Sequence, residues 1–227
     1  WYSTFLVAFR ERSVMLLFGL VGSPVQVSLY AASNRIVVTM RTFFNITRNT
    51  YQSQLAEGYS QGNYGRISRV YQSIVAQQAV LAIPVIGLFV LVPSLWGVIF
   101  GEEFAGVYWV GLVAFAGSLT NVFLGSAGTV LIMSGQNDWI RRPAMISLLV
   151  TLALTAVLGW SMGAVGAALA SSIGTLILAL ACWARARKTL QLSLAARKVG
   201  LAIGISLALA VAGSLMVHLG LNRLTLT

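Results

Sequence analysis

The residues of this sequence whose types and spacing could do chemistry are arginines and amides set inside apolar stretches. The fullest set lies in Ser28 to Gln52, SLYAASNRIVVTMRTFFNITRNTYQ. At 100° per residue, Asn34, Arg41, Asn45, Arg48 and Gln52 fall within about 60° of one another, because they are 7, 4, 3 and 4 residues apart. Leu29, Ile36, Val37, Phe43, Phe44 and Ile46 spread over the remaining faces. A charge at bilayer depth costs from a few to more than ten kcal/mol (rough figures), depending on how far it can snorkel. A polar stripe aligned over several turns therefore implies water, a polar ligand or other helices along that side. A cavity wall and a buried structural network are the two readings the spacing allows.

A second cluster, Arg10, Glu11 and Arg12, interrupts the apolar run that opens the chain. Arg10 and Arg12 point about 200° apart on a helix and need different surroundings. Glu11 offers a carboxylate to an arginine of its own helix or of the next, with Arg35 and Arg41 the candidates there. The competing reading is a charged loop with no span at this place. Asn121, in a later apolar run, faces either a helix or the same cavity.

Other chemistry is excluded by what the sequence lacks. It has no nucleophile elbow, phosphate loop or carboxylate pair on one face, and no His, Cys, Asp or Glu cluster at metal-ligand spacing. His218 and Cys182 are each the single residue of their kind, so an intrachain disulfide is impossible. We expect no enzyme, no cofactor and no metal site.

The elements that must position these groups follow from composition. Of 227 residues 58% are hydrophobic and 9% charged, with mean hydropathy +0.84, against about 25% charged in soluble domains. A polytopic, all-α membrane protein is expected. About 20 apolar residues cross roughly 30 Å of hydrocarbon, and seven segments qualify: Trp1–Val21, Val27–Thr50, Ser73–Leu95, Val107–Met133, Pro143–Trp160, Gly163–Ala184 and Val199–Leu219. Gly22, Ser23 and Pro24 make a turn into the arginine-bearing helix. Gly58, Gly62 and Gly65 are expected to break the polar stretch after Tyr51. Pro143 is expected in the first turn of the fifth span. Gly166, Ala170 and Gly174 are expected at a close helix–helix contact, as are Gly200, Gly204, Ala208 and Ala212.

Loop charge gives an orientation. Arg66, Arg69, Arg141, Arg142, Arg185, Arg187, Lys188, Arg197 and Lys198 lie in loops after even-numbered spans, whereas Arg223 alone follows an odd-numbered one. By the positive-inside rule the amino end and the even loops are cytoplasmic. Arg10, Arg12, Arg35, Arg41 and Arg48 lie within spans. The net charge of +10 is thereby divided between loops and spans, which removes the case for nucleic acid as a partner.

With these residues in place, a resemblance can be stated. GSPVQVSLYAASNR, at Gly22–Arg35, resembles the VGxYxxAxR signature that starts a second-repeat helix in polysaccharide flippases of the multidrug/oligosaccharidyl-lipid/polysaccharide exporter superfamily. It continues with LAEGYSQGNYGRISRVY, VIFGEEF, VLIMSGQNDWIRR and GAVGAALASSIGTL, in order over nearly the whole chain. Many relatives carry proline near Tyr51 or Gln52 and before Gly163; this chain has neither. The resemblance implies the carboxy-terminal lobe, residues 1–227, of a fourteen-helix, two-lobed transporter whose amino-terminal lobe would be a further partner. It also implies export of an oligosaccharide linked to a polyprenyl diphosphate across the bacterial cytoplasmic membrane, for O-antigen, capsule or exopolysaccharide. The first residue, Trp1 rather than Met, is read in the same sense, as part of a longer protein. Guanidinium matches phosphate geometry bidentately, so Arg41 and Arg48 are the first substrate-binding candidates and Arg10, Arg12 and Arg35 the next.

Two rivals differ in what they need. A cation-coupled multidrug exporter of the same superfamily should line its cavity with Asp or Glu, whereas Glu11 is the one carboxylate at depth against five arginines. A non-transporting membrane scaffold would need the arginines only for folding.

Overall fold

The computed structural model describes residues 2–91, 106–124 and 126–190. These residues form α1 (Tyr2–Val21), α2 (Pro24–Thr50), α3 (Gln52–Ser60), α4 (Tyr64–Leu91), α5 (Val107–Leu124), α6 (Ser126–Met133) and α7 (Asn137–Leu190). The described residues are all-helical apart from short turns, with no strand among them.

Helix ends follow local chemistry. Ser23 is extended, and its Oγ accepts the Gln26 N–H at 3.4 Å while Pro24 begins α2; proline suits this position because the first-turn N–H would lack a partner anyway. α2 stops at Tyr51 and α3 begins one residue later, so the polar stretch is largely helical where three glycine breaks were expected. Gly58 lies inside α3 and Gly65 inside α4, and of the three glycines Gly62 alone breaks the chain, at φ 64°. Gly58 serves a close approach instead: a Cβ there would lie 3.1 Å from Ile67 Cγ1.

α7 departs furthest from expectation. It starts at Asn137, after Gly135 at φ 70° and with Asp138 in its first turn, so Pro143 lies inside the helix. Ser161 and Met162, expected between two spans, are helical, and the reversal is concentrated at Gly163 with φ 60° and ψ −137°. That region is open to glycine and closed to L-residues with a Cβ. Two arms, 137–162 and 164–190, therefore fold back on each other. A Cβ on Gly166 would overlap the Leu158 carbonyl, and one on Gly174 would overlap Thr151 Oγ1. Ser147 Oγ donates to the Gly174 carbonyl at 2.6 Å. Close contact through Gly166, Ala170 and Gly174, all buried, is thus what the small residues allow.

The α7 hairpin is the centre of the bundle, with α1 and α5 packed along it and α2 packed on α5. Phe18, Tyr30, Val110, Ala164, Ala167 and Ala168 close the end near the Gly163 reversal. A larger cluster around Phe44, Leu55, Ile67, Tyr71, Phe123 and Leu131 fills the other end, behind α2. Large apolar side chains also cover the outside: Leu16, Leu20, Val25, Leu149, Val157 and Trp160 are exposed, Leu20 at 85%.

The seven-span expectation is not met as stated. Among the described residues, α5 and α7 are long and apolar enough to cross a membrane. α1 and α2 have the length but carry Arg10, Glu11 and Arg12, or Arg35, Arg41 and Arg48. The fourth expected span, Val107–Met133, divides into α5 and α6. The fifth and sixth are one reversed helix. The seventh, Val199–Leu219, the VIFGEEF segment, His218 and Arg223 lie outside the described residues.

Candidate functional site

α1 and α2 run antiparallel, joined by the Gly22–Pro24 turn, so residues near the start of α1 face those near the end of α2. Phe18 meets Tyr30 edge-on at 5.8 Å between ring centroids. Two turns further, Glu11 pairs with Arg41 Nη1. Beyond that level the helices leave a cavity of about 500 Å³. Arg10, Glu11, Arg41, Asn45, Arg48 and Asn121 line it, together with Ser118 and Thr175. Ile132, Ile140 and Cys182 line its far part, toward the end where the arms of α7 begin and finish.

Each polar group in the wall has a defined support. Arg10 is 4% exposed and donates from Nη1 to Ser147 Oγ at 2.7 Å and from Nη2 to Thr175 Oγ1 at 3.1 Å. Its two partners come from the two arms of α7, so α1 is tied to both. Arg41 holds Glu11 and also donates from Nε to Ser118 Oγ at 3.1 Å. The Arg41 and Glu11 side chains are 18% and 38% exposed, so the bridge lies at the cavity surface. Arg48 Nη2 donates to Asn45 Oδ1 one turn back. Three guanidiniums against one carboxylate leave the wall with an excess of two positive charges. In a partly dry cavity that excess attracts anions more strongly than it would in water.

Not every expected residue reaches this cavity. Asn34 lies in a narrow crevice continuing inward, with Tyr30, Arg41, Ser118, Ser171 and Thr175; at about 10 Å³ it is of the size of one water. Arg12 and Arg35 are exposed and line neither space. The α1 geometry puts Arg12 away from Arg10, as 200° of rotation requires. Gln52 belongs to α3, past the end of α2, and its Nε2 donates to Asn49 Oδ1 at 2.8 Å. The stripe therefore ends at Arg48 and Asn49, the latter a cavity residue that the spacing rule passes over.

The hydroxyls were the larger omission. Ser147, Thr151 and Thr155 recur every four residues and are all fully buried. Thr151 donates back to the Ser147 carbonyl at 2.6 Å and Thr155 to that of Thr151 at 2.8 Å. Hydroxyls at that repeat inside an apolar run were the signal for the face that receives Arg10.

The end beyond the cavity is basic. Arg66 makes two bonds to Glu57, Nη1 to Oε1 at 3.0 Å and Nη2 to Oε2 at 2.8 Å. Arg185 donates from Nε to Gln136 Oε1 at 3.2 Å and lies over Trp139, 5.6 Å from the ring centre. Gln136 in turn reaches Thr189 at 3.3 Å, joining the start and finish of α7. Among the described residues, no group of His, Cys, Asp and Glu could hold a metal ion.

In comparisons with known proteins, the sequence matches no family model and no curated protein.

Proposed function

We propose that the chain is one lobe of a membrane flippase that moves an anionic, diphosphate-linked oligosaccharide, with the headgroup in this cavity and the lipid tail in the bilayer. The carrying observation is the cavity's charge: Arg10, Arg41 and Arg48 face a space that holds one carboxylate, Glu11. Support also comes from the exterior. Exposed Leu16, Leu20, Leu149, Val157 and Trp160 form a surface that water would not favour and hydrocarbon would. α5 and α7 have the length and apolarity of spans. The ordered resemblance to polysaccharide flippases supplies the substrate class and the bacterial inner membrane.

On this reading the basic end is cytoplasmic, and the cavity is reached from that side. The anion meets Arg48 near the mouth first. Transport then needs the cavity to open alternately to each face, this lobe rocking against a second one. A drug exporter for organic cations is disfavoured, because Glu11 is already bound to Arg41. The scaffold reading draws on the Arg10 network, which ties α1 to both arms of α7, but it gives no account of Arg48 beside an open space.

The test is export of lipid-linked glycan in cells whose transporter carries Arg48→Ala, with abundance in the membrane measured alongside. Loss of roughly tenfold or more, with Arg48→Lys intermediate because it keeps charge and loses the fork, is expected. Full export from normally abundant Arg48→Ala protein would return the arginines to a structural role.

A further inference from the structure

The arginines of this cavity are not equivalent, and their neighbours divide them. Arg41 is engaged by the Glu11 carboxylate and by Ser118; its charge is already offset. Arg10 is 4% exposed, lines the cavity, and meets neutral hydroxyls at both ends of its fork. Glu11, its neighbour in sequence, points about 100° away along α1 and holds Arg41. Arg48 also bonds a neutral group, the Asn45 amide. Among the described residues, neither Arg10 nor Arg48 forms an ion pair. A cation taken out of water without a counter-charge is costly unless something supplies one.

We infer that the anion contacts of this cavity are Arg48 near the mouth and Arg10 at the inner end, and that Arg41–Glu11 is a neutral pair between them and not a contact. Arg10 sits at the level of Arg41, because Glu11 joins them. Arg48 is seven residues further along α2, about 10 Å at 1.5 Å per residue. A diphosphate entering from the basic end thus has two stations. The outer one is half-buried and bonded to the Asn45 amide one turn back. The inner one is held in place by Ser147 and Thr175 from opposite arms of α7. This assignment rests on the proposed function for the anion's identity, and its test reads binding directly.

The measurement is the affinity of inorganic pyrophosphate for the protein in lipid nanodiscs, from the ligand-dependent shift in thermal unfolding. Arg48→Gln and Arg10→Lys should each weaken binding roughly tenfold or more, and Glu11→Gln, which releases a third guanidinium, should strengthen it about tenfold. The double variant Glu11→Gln plus Arg41→Gln removes a neutral pair and should stay within about twofold of the parent. A loss in the double variant equal to that of Arg48→Gln would overturn the assignment, since Arg41 would then be a contact. Absence of pyrophosphate binding by the parent protein would overturn it as well. If Arg10→Lys does not fold, Arg48→Gln and the double variant still decide. A second arm adds farnesyl diphosphate to the nanodisc lipid. Competition with pyrophosphate supports a lipid-borne diphosphate; pyrophosphate binding untouched by it keeps Arg10 and Arg48 as the contacts and sinks the lipid-linked function.

Discussion

The two halves of α2 carry polar side chains into opposite surroundings. In the first half, Gln26, Tyr30 and Ser33 meet tight neighbours. Ser33 Oγ lies 3.1 Å from the Val107 carbonyl, Tyr30 packs on Phe18, and Ala164, Ala167 and Ala168 close behind. In the second half, Arg41, Asn45 and Arg48 face open space. The sequence period is the same throughout; the size of the residues opposite is what changes. Gly163, Gly166 and the alanines of α7 let backbones come together at one end. Toward the other end Leu178 and Cys182, with α6, line a cavity where the helices stand apart. A polar face on a helix is thus neither a channel nor a joint until the facing residues decide.

That contrast can be broken most severely from the closed side. Gly174→Leu would drive a side chain into Thr151 and the Ser147–Gly174 bond. Overpacking of this kind costs about 1–3 kcal/mol and occasionally more, and with both arms of α7 in the way the largest fall in melting temperature of the variants named here is expected, read in detergent. Parent-like melting of this variant would mean that the arms separate more easily than their contacts imply.

A smaller effect is expected behind the open half. Gln78 is fully buried; its Nε2 donates to the Phe44 carbonyl at 3.3 Å and its Oε1 accepts from Ser126 Oγ at 2.9 Å. Gln78→Leu removes both bonds but leaves Ser126 Oγ its bond to the Val122 carbonyl and Phe44 its place in the α2 ladder, a loss of about 0.5–1.5 kcal/mol per bond. It should lower the melting temperature while leaving the anion affinity of the cavity unchanged. A shift in affinity without one in stability would show that the back of α2 and its front are one unit.

The smallest change belongs to the cavity wall. Asn45 is exposed, and its side-chain partner is the Arg48 guanidinium one turn on. Asn45→Ala should alter stability by less than about 0.5 kcal/mol, read from the same melting curves. A large loss would mean that this wall is built as tightly as the closed half.

How much of this was legible beforehand depends on whether a feature is local. The turn at Gly22–Pro24 was legible, because Ser, Pro and a preceding Gly each have a local reason to be there. So was the divergence of Arg10 and Arg12, which needs only the helical angle. A partner for Glu11 on α2 could be named, although the choice between Arg35 and Arg41 could not: both lie on α2, and only packing turns Arg35 outward. Gly58 misled because glycine is a helix breaker in isolation and a contact residue once two helices cross, here against Ile67; exposed Gly65 is simply tolerated inside α4. Gly163 was the reverse case, a single backbone conformation doing what a loop was expected to do. The hydroxyl face of α7 went unread because Ser and Thr bond back to their own helix and so leave little mark on an apolar pattern.

The Gly163 reversal has one more consequence. The second arm of α7 starts with an N–H, that of Ala164, which no earlier turn of helix can receive; Gln26 Oε1 accepts it at 3.0 Å. A side chain of α2 thereby acts as the cap of another helix, and a Cβ on Gly163 would lie 2.7 Å from that same oxygen. The near end of α2 is pinned to the α7 hairpin at this point, whereas one face of its far half borders the cavity. Along the 22 residues from Gln26 to Arg48, about 33 Å of helix, α2 is thus held by this cap, by Arg41 on Glu11 and by the Phe44 carbonyl on Gln78, and Arg48 stands a full helix length from the cap.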